Sequence, residues 1–225
     1  MSLRKLVTRL LVGFVLFSIA ACALLRWLPP PTSAFMLYRH YEDLVNDGTF
    51  KSISYRWIST KKISPNAGMA VMASEDQRFP EHSGFDLDSI QASIEDYREG
   101  GKLRGASTIS QQVAKNLFLT PAKSFLRKGI EAWFTLLIEH LWSKERILEV
   151  YLNIAEFGDH LFGIEAASQY YFGKSAKNLS RPQAALLAAT LPNPHRLQAA
   201  HPTAYLFRRQ RWILRQMANM GTPKL

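Results

Sequence analysis

The chain has 225 residues, of which 47% are hydrophobic and 20% are charged, a balance typical of one globular domain with a short appendage. Its formal net charge of +10 suits an anionic partner such as lipid headgroups or nucleic acid. The only cysteine is Cys22, which excludes an internal disulfide.

The appendage is an apolar segment from Leu6 to Leu28, and residues 10–25 within it carry no charge. About 20 apolar residues are enough to cross the core of a bilayer as a helix. Arg4, Lys5 and Arg9 come before the uncharged residues 10–25. The positive-inside rule therefore predicts a cytoplasmic N-terminus and a domain outside, which argues against nucleic acid as a partner.

Two alternatives to an uncleaved anchor centre on Cys22. Ala21-Cys22-Ala23 has the small residues of a signal-peptidase site, and Ile19-Ala20-Ala21-Cys22 resembles a lipoprotein box in which Cys22 would be acylated. The apolar run continues past Cys22 to Leu28, whereas a cleavable signal normally turns polar there. This continuation favours the uncleaved anchor.

Pro29-Pro30-Pro31 ends the anchor, because proline cannot continue a helix. We therefore expect an anchor over residues 1–31 and a domain outside the membrane over residues 32–225. Phe50, Ile53, Tyr55 and Trp57 suggest a short extended piece, and no run of alternating strands argues for a sheet. Helical patterns then predict a mainly α domain. Helices are expected from Ser64 to Glu75, along Leu87–Tyr97, along Ile109–Leu117, from Ser124 to Leu141, after Ser180, and along Phe207–Met217.

The first polar cluster stands where the helix that begins near Ser64 is expected to end. Glu75 and Asp76 are followed within ten residues by an arginine, a histidine and a glycine. Acids and bases at a break in regular structure suggest a cleft, although a solvated acidic turn gives the same pattern.

The second cluster crowds one side of the helix along Ile109–Leu117. Amides, hydroxyls and a lysine suit the hydroxyl and acetamido groups of a sugar, whereas an exposed helix face usually favours Glu and Lys. The members of this cluster are Thr108, Gln111, Gln112, Lys115 and Asn116.

The third cluster places Lys123, Arg127 and Lys128 around Glu131. Three cations around one carboxylate suggest a phosphate site, because arginine and lysine are the usual phosphate binders. The alternative is a surface ion pair between Lys128 and Glu131, which are i,i+3 neighbours on a helix.

The fourth cluster runs from Lys144 to Asn153. Glu149 and Asn153 are i,i+4 neighbours within an otherwise apolar pattern. We expect this pair to make structural hydrogen bonds.

In this order, the four clusters resemble the peptidoglycan glycosyltransferases of family 51. Their motifs read Glu-Asp-x-x-Phe-x-x-His-x-Gly, then Gly-x-Ser-Thr-Ile-x-Gln-Gln with Lys-Asn, then Arg-Lys-x-x-Glu, then Lys-x-x-Ile-Leu-Glu-x-Tyr-Leu-Asn. A fifth motif is approximated by Arg209, Ile213, Leu214 and Met217, and the similarity covers about residues 55–217. The resemblance implies a lysozyme-like fold without the penicillin-binding transpeptidase domain of larger members.

The resemblance also implies the reaction and the residues that perform it. Lipid II would be polymerised with inversion at the donor MurNAc and release of undecaprenyl diphosphate. Glu75 matches the base for the acceptor 4-hydroxyl, and Glu131 matches the second acid, near the diphosphate. Diphosphate contacts fall on or beside Lys123, Arg127 and Lys128, and sugar or phosphate contacts fall on Ser107, Gln112 and Lys115.

The partners expected from this resemblance are lipid II, the lipid-linked glycan chain, the bacterial inner membrane, and proteins of division or elongation wall synthesis. Mg²⁺ or Mn²⁺ is plausible at the diphosphate, although no compact acidic ligand set is evident. The glycine- and charge-rich stretch from Glu99 to Gly105 is expected to close over the cleft. A lysozyme-like lytic enzyme and a non-catalytic wall scaffold are the alternatives.

Overall fold

The computed structural model describes residues 2–46, 48–101, 107–122 and 124–221. The helices in this part of the chain are α1 (Leu3–Leu25), α2 (Ala34–Asn46), α3 (Pro65–Glu75), α4 (Leu87–Arg98), α5 (Ile109–Phe118), α6 (Phe125–Leu141), α7 (Lys144–Ile154), α8 (Ile164–Phe172), α9 (Arg181–Thr190) and α10 (Ala204–Met220). The strands are β1 (Ser54–Tyr55), β2 (Glu156–Gly158) and β3 (Leu161–Phe162). Single 3-10 turns cover Thr60–Lys62 and Ala176–Asn178.

The mainly α fold is confirmed, and the extended piece predicted around Tyr55 is β1. β1 pairs in parallel with β3, and β2 pairs with β3 in the antiparallel direction. The expectation of a domain without a sheet is wrong in this respect. Strands of two or three residues are too short to show the alternation by which a sheet is recognised in a sequence.

Helix α3 runs through the centre of the domain, where α7, α9 and α10 pack around it. Ser64 caps its first turn by accepting a hydrogen bond from the amide of Asn66, and Pro65 follows as the first helical residue. The interior of the helix consists mainly of small residues. At Gly68 an added Cβ would lie 3.1 Å from Leu148 of α7, so the glycine permits this close approach. The dense packing fixes the C-terminal end of α3, at Glu75.

The fourth sequence cluster is structural, as expected. The side-chain amide of Asn153 accepts from the amide of Ile58 at 2.9 Å and donates to its carbonyl at 3.0 Å. Glu149 accepts from the amide of Thr60 at 2.8 Å. Together these bonds tie the chain before α3 to α7.

Helix α1 is long and apolar enough to cross a membrane, and part of one side packs against α6. Trp133 donates its indole N–H to the hydroxyl of Ser18 at 3.0 Å, and Trp142 donates to the carbonyl of Cys22 at 2.7 Å. These contacts join the C-terminal half of α1 to the domain. We call them the anchor seam.

Arg146 extends the anchor seam to the end of α1. Its guanidinium donates to the carbonyl of Leu25 at 2.8 Å and to that of Leu28 at 2.6 Å. The last carbonyls of a helix lack partners within the helix, and a cation there is favourable. The guanidinium also lies over the ring of Trp57, with 5.0 Å to the ring centroid.

Helix α2 is joined to β2 by a partly buried ion pair, in which Arg39 contacts Glu156 with N–O distances of 3.0 and 3.2 Å. Burial raises the pKa of Glu156 to about 7, although the charge of Arg39 opposes this shift. The folded protein therefore holds this proton more tightly than the unfolded chain does. The stabilising contribution is complete below the ordinary value of 4.5 and is lost as the pH rises through about 7.

We expect the free energy of unfolding to fall by about 1–3 kcal/mol between pH 5 and pH 8 through Glu156 alone. Glu156→Gln cannot titrate and should flatten this part of the profile. Thermal unfolding of both proteins at several pH values checks the prediction. Equal pH slopes for the two would contradict it.

Candidate active site

A cleft of about 1030 Å³ opens where the C-terminal end of α3 meets α4, α5 and α10. Five residues that the sequence predicted as site residues line it: Glu75, Ser107, Thr108, Gln112 and Lys115. The cleft thus brings together the first two polar clusters, which are about 30 residues apart in the chain.

Glu75 is held in the cleft by three side chains. Its Oε1 accepts from the hydroxyl of Ser74 at 2.8 Å and from Nη2 of Arg209 at 3.3 Å. Its Oε2 accepts from Nε2 of Gln112 at 3.2 Å. The side chain is 15% exposed, so the carboxylate is oriented yet remains reachable from the cleft.

Gln112 is itself oriented by a hydrogen bond from the interior of the domain. Its Oε1 accepts from the hydroxyl of the buried Tyr151, on α7, at 3.1 Å. With its oxygen so engaged, the amide turns its NH₂ group toward Glu75. Burial raises the pKa of Tyr151 well above its ordinary value, and Glu75 and Asp76 add to this effect, so the phenol stays protonated as a donor.

Asp76 differs from its neighbour because it faces the interior of the protein. Its carboxylate accepts from the amide of Ile109, the first residue of α5, at 2.9 Å, and from Nε2 of His82 at 3.0 Å. Nδ1 of His82 in turn accepts from the amide of Gly84 at 3.1 Å, which assigns the imidazole proton to Nε2. This chain of bonds fixes α5 against the end of α3.

Gly84 is required at its position for two reasons. Its φ of +92° lies in a region that side chains disfavour, and an added Cβ would lie 2.8 Å from Cγ2 of Thr135 on α6. Its carbonyl accepts from the hydroxyl of Thr108 at 2.7 Å. The loop after Glu75 is thereby held against both α5 and α6.

Thr108 and Gln111 form the capping box of α5. The amide of Gln111 donates to the Thr108 hydroxyl at 3.2 Å, and Oε1 of Gln111 accepts from the amide of Thr108 at 3.0 Å. Thr108 still lines the cleft, whereas Gln111 is buried and does not. Both polar residues therefore cap the N-terminus of α5, and Thr108 also contributes to the site.

The third cluster forms a compact ionic group on the first turns of α6. Glu131 is buried, and its Oε2 contacts Nη1 of Arg127 at 2.7 Å while its Oε1 contacts Nζ of Lys128 at 2.5 Å. Lys128 is half exposed and therefore available to a ligand. We call these three residues the α6 cluster.

Lys115 links the α6 cluster to the cleft. Burial lowers the pKa of this lysine below its ordinary value of 10.5, and the charge of Glu131 partly reverses the shift. Arg127 and Lys128 lower the pKa further, and Glu75 raises it. Lys115 lines the cleft and interacts electrostatically with both carboxylates, whereas the three residues of the α6 cluster are not among those that line the cleft.

Asn116 is not part of this arrangement, and Lys123 is not described. Asn116 does not line the cleft, and its Oδ1 is buried without a hydrogen-bond partner in the described part of the chain. Lys123 lies outside the described residues, as do residues 102–106, which make up most of the stretch expected to close over the cleft.

Arg209 and Trp212 of α10 line the cleft although the polar clusters did not include them. Arg209 matched the fifth motif, and its contact with Glu75 spans 134 positions of the chain. Only the fifth motif could have predicted Arg209 as a site residue, because helical periodicity does not show which distant helix an arginine contacts.

The α6 cluster does not fit a metal ion held by the protein. Glu131 is its only carboxylate, and both of its oxygens are already paired with cations. Mg²⁺ is usually held by one or two carboxylates together with substrate phosphates. Arg127 and Lys128 instead supply the positive charge at this place.

The transglycosylase family profile matches residues 20–218 of the chain. A biosynthetic peptidoglycan transglycosylase of Pseudomonas fluorescens is 51% identical over 218 residues, covering 97% of this chain and 90% of the relative. Proteins of the same name from Pseudomonas syringae and Shewanella oneidensis are each 50% identical, covering 98% and 95% of this chain and 93% and 90% of the relatives. The chain therefore belongs to the transglycosylase family.

Proposed function

We propose that this protein polymerises lipid II into glycan strands of peptidoglycan. The acceptor is the 4-hydroxyl of a GlcNAc, and the donor is a MurNAc whose anomeric carbon carries the lipid diphosphate. A β-1,4 bond forms with inversion, and undecaprenyl diphosphate leaves. The observation that supports the proposal is the oriented Glu75 in an open cleft, which Lys115 also lines, with the charges of the α6 cluster acting on that lysine.

Glu75 suits the role of general base. A base must lie within hydrogen-bond reach of the proton that it removes, and must be oriented toward it. Ser74, Gln112 and Arg209 hold the carboxylate by its two oxygens at the cleft wall. Removing the proton of the 4-hydroxyl makes that oxygen nucleophilic as it attacks the donor.

The α6 cluster suits the leaving diphosphate. Charge develops on this group in the transition state, and fixed cations are the usual means of stabilising it. Glu131 orients Arg127 and Lys128, since each donates to one of its oxygens. Lys115, which lines the cleft, can contact the phosphate that bridges donor sugar and lipid.

The donor is lipid-linked, and the chain has a helix that fits a membrane anchor. Contacts between α1 and α6 run from Phe14 with Phe134 and Ser18 with Trp133 to Cys22 with Trp142, near the end of both helices. The N-terminal end of α6 therefore points back toward the membrane-crossing part of α1. Its first residue, Phe125, is fully exposed, as an apolar residue beside lipid would be.

The finer localisation is part of the proposal. Arg4, Lys5 and Arg9, before the uncharged residues 10–25, favour a single pass through the bacterial inner membrane with the catalytic domain in the periplasm. Proteins of division or elongation wall synthesis are proposed partners there. Mg²⁺ or Mn²⁺ would arrive bound to the diphosphate, since the α6 cluster offers no ligand set.

Purified full-length protein incubated with labelled lipid II, with and without Mg²⁺ or Mn²⁺, tests the function. We expect lipid II to be consumed and long glycan strands to form. The lytic alternative requires shortening of preformed glycan without consumption of lipid II, and that result would overturn the proposal. A scaffold would do neither, and that outcome would also overturn it.

Lys128→Ala should lower kcat/KM for lipid II by about 10–100-fold, because one charge-assisted hydrogen bond to the diphosphate is lost. Because Lys128 is also the partner of Oε1 of the buried Glu131, the melting temperature should fall as well, and a thermal melt establishes the temperature at which the variant is folded for the assay. Initial polymerisation rates over a range of lipid II concentrations measure the effect. Lys62→Ala, at an exposed position, is the matched control, and equal rates for the two variants would contradict the prediction.

A further inference from the structure

The last quarter of the chain is strongly asymmetric in charge. Residues 166–225 contain nine lysines and arginines and no aspartate or glutamate. The net charge of the whole chain is +10, so this segment accounts for nearly all of it. Such a one-sided balance is not needed for folding and indicates an anionic partner.

Helix α10 presents a large part of this charge on its outer face. Arg208, Arg211 and Arg215 are exposed and recur at helical spacing, so they form a single row, which we call the α10 stripe. Phe207, beside the row, is 45% exposed. A shallow groove lies between this phenylalanine and the first two arginines.

No hydrogen bond or ion pair within the described residues engages the guanidinium groups of the α10 stripe. Some arginines elsewhere in the domain do have such partners; Arg78 pairs with Asp88, and Arg39 pairs with Glu156. The three donor groups of the stripe are thus free to bind a ligand.

The position of the α10 stripe favours a ligand that comes from the cleft. Trp212 and Arg209, on the same helix, line the cleft beside Glu75, and Trp212 is adjacent to Arg208 on the helix surface. Helix α10 packs on α3 and α9, whereas the anchor packs on α6. The stripe is therefore continuous with the site and lies on elements other than those that meet the membrane.

We propose that the α10 stripe binds the acidic peptide carried by the sugar chain in the cleft. This inference rests on the proposed function, because the peptide stems of MurNAc residues supply the free carboxylates. Arginine pairs with carboxylates through two parallel hydrogen bonds, and Phe207 and Trp212 offer apolar surface to the rest of the peptide. The contact would hold a strand beside Glu75 between successive additions.

The test measures binding to the full-length protein in neutral detergent by calorimetry. The ligands are a soluble disaccharide with an acidic tetrapeptide, the same compound with its peptide carboxylates amidated, and short-chain phosphatidylglycerol. We expect Arg208→Gln/Arg211→Gln to weaken binding of the acidic compound at least tenfold. Lys61→Gln/Lys62→Gln removes the same charge at two exposed positions of a 3-10 turn and should bind as the unaltered protein does.

Three results would overturn the inference: equal binding by the two double variants, equal binding of the amidated compound, or binding of phosphatidylglycerol alone, which would make the stripe a lipid site. Because this measurement needs no turnover, it is independent of polymerisation. A protein that binds the acidic compound through Arg208 and Arg211 but never consumes lipid II would refute the proposed function and leave the peptide site in place.

Discussion

Glu75→Gln should abolish detectable polymerisation of lipid II while the protein remains folded. The substitution keeps the size of the side chain and removes its ability to take a proton. A positioned general base contributes about 10²–10⁴-fold to a rate, and the variant should lose this factor. The carboxylate lies at the surface of the cleft, with 15% of its side chain exposed, so stability should change by less than about 1 kcal/mol.

Polymerisation of labelled lipid II under single-turnover conditions measures this loss, and a thermal melt establishes that the protein is folded. Glu81→Gln is the control, because Glu81 stands six positions later in the same motif and is 64% exposed. It should polymerise at the unaltered rate. A near-normal rate for Glu75→Gln would refute the assignment of the base.

Asp76→Asn, unlike Glu75→Gln, should cause a large loss of stability. The buried carboxylate accepts from the amide of Ile109 and from Nε2 of His82, and an amide can accept at only one of its two atoms. With the asparagine oxygen at the Oδ2 position, which lies 2.9 Å from the amide of Ile109 and 3.1 Å from Nε2 of His82, the NH₂ group takes the Oδ1 position, 3.0 Å from the same Nε2 donor. We expect the free energy of unfolding to fall by about 2–4 kcal/mol.

Thermal unfolding of the detergent-solubilised protein measures this effect. Asp88→Asn makes the same chemical change at a side chain that is 75% exposed, and should shift stability by at most about 0.5 kcal/mol. An unchanged melting temperature for Asp76→Asn would show that the bonds of Asp76 do not hold α5 in place. The activity of Asp76→Asn should decline together with its stability. Glu75→Gln, in contrast, should lose activity and keep its stability.

The sequence predicted most of what lies within one helix or at its ends. The helix that leads to Glu75, the polar side of α5 and the ion pairs of Glu131 are local patterns, with partners three or four residues apart. Motif resemblance added the chemical roles. Residue identity alone did not distinguish Glu75 from Asp76, because the direction of each side chain depends on where α3 ends.

Contacts between distant segments were not predictable in this way. Arg209 reaches Glu75 across 134 positions, and Tyr151 orients Gln112 from another helix. Thr108 and Gln111 show a further limit, since a capping box and a sugar-binding surface use the same residue types. The small sheet was not predicted, because its strands are only two or three residues long.

The anchor seam has a consequence for how the enzyme can be engineered. Trp133, Trp142 and Arg146 donate to Ser18 and to carbonyl oxygens near the end of α1, so the membrane helix is bound in a defined rotation and at a defined height. A generic apolar helix of equal length would preserve insertion but not the register with α6. Removing the helix would leave the indoles of Trp133 and Trp142 without their partners and would take from Arg146 its bonds to the carbonyl of Leu25. Soluble fragments and chimaeras should therefore be designed to retain the second half of α1 as part of the folded domain.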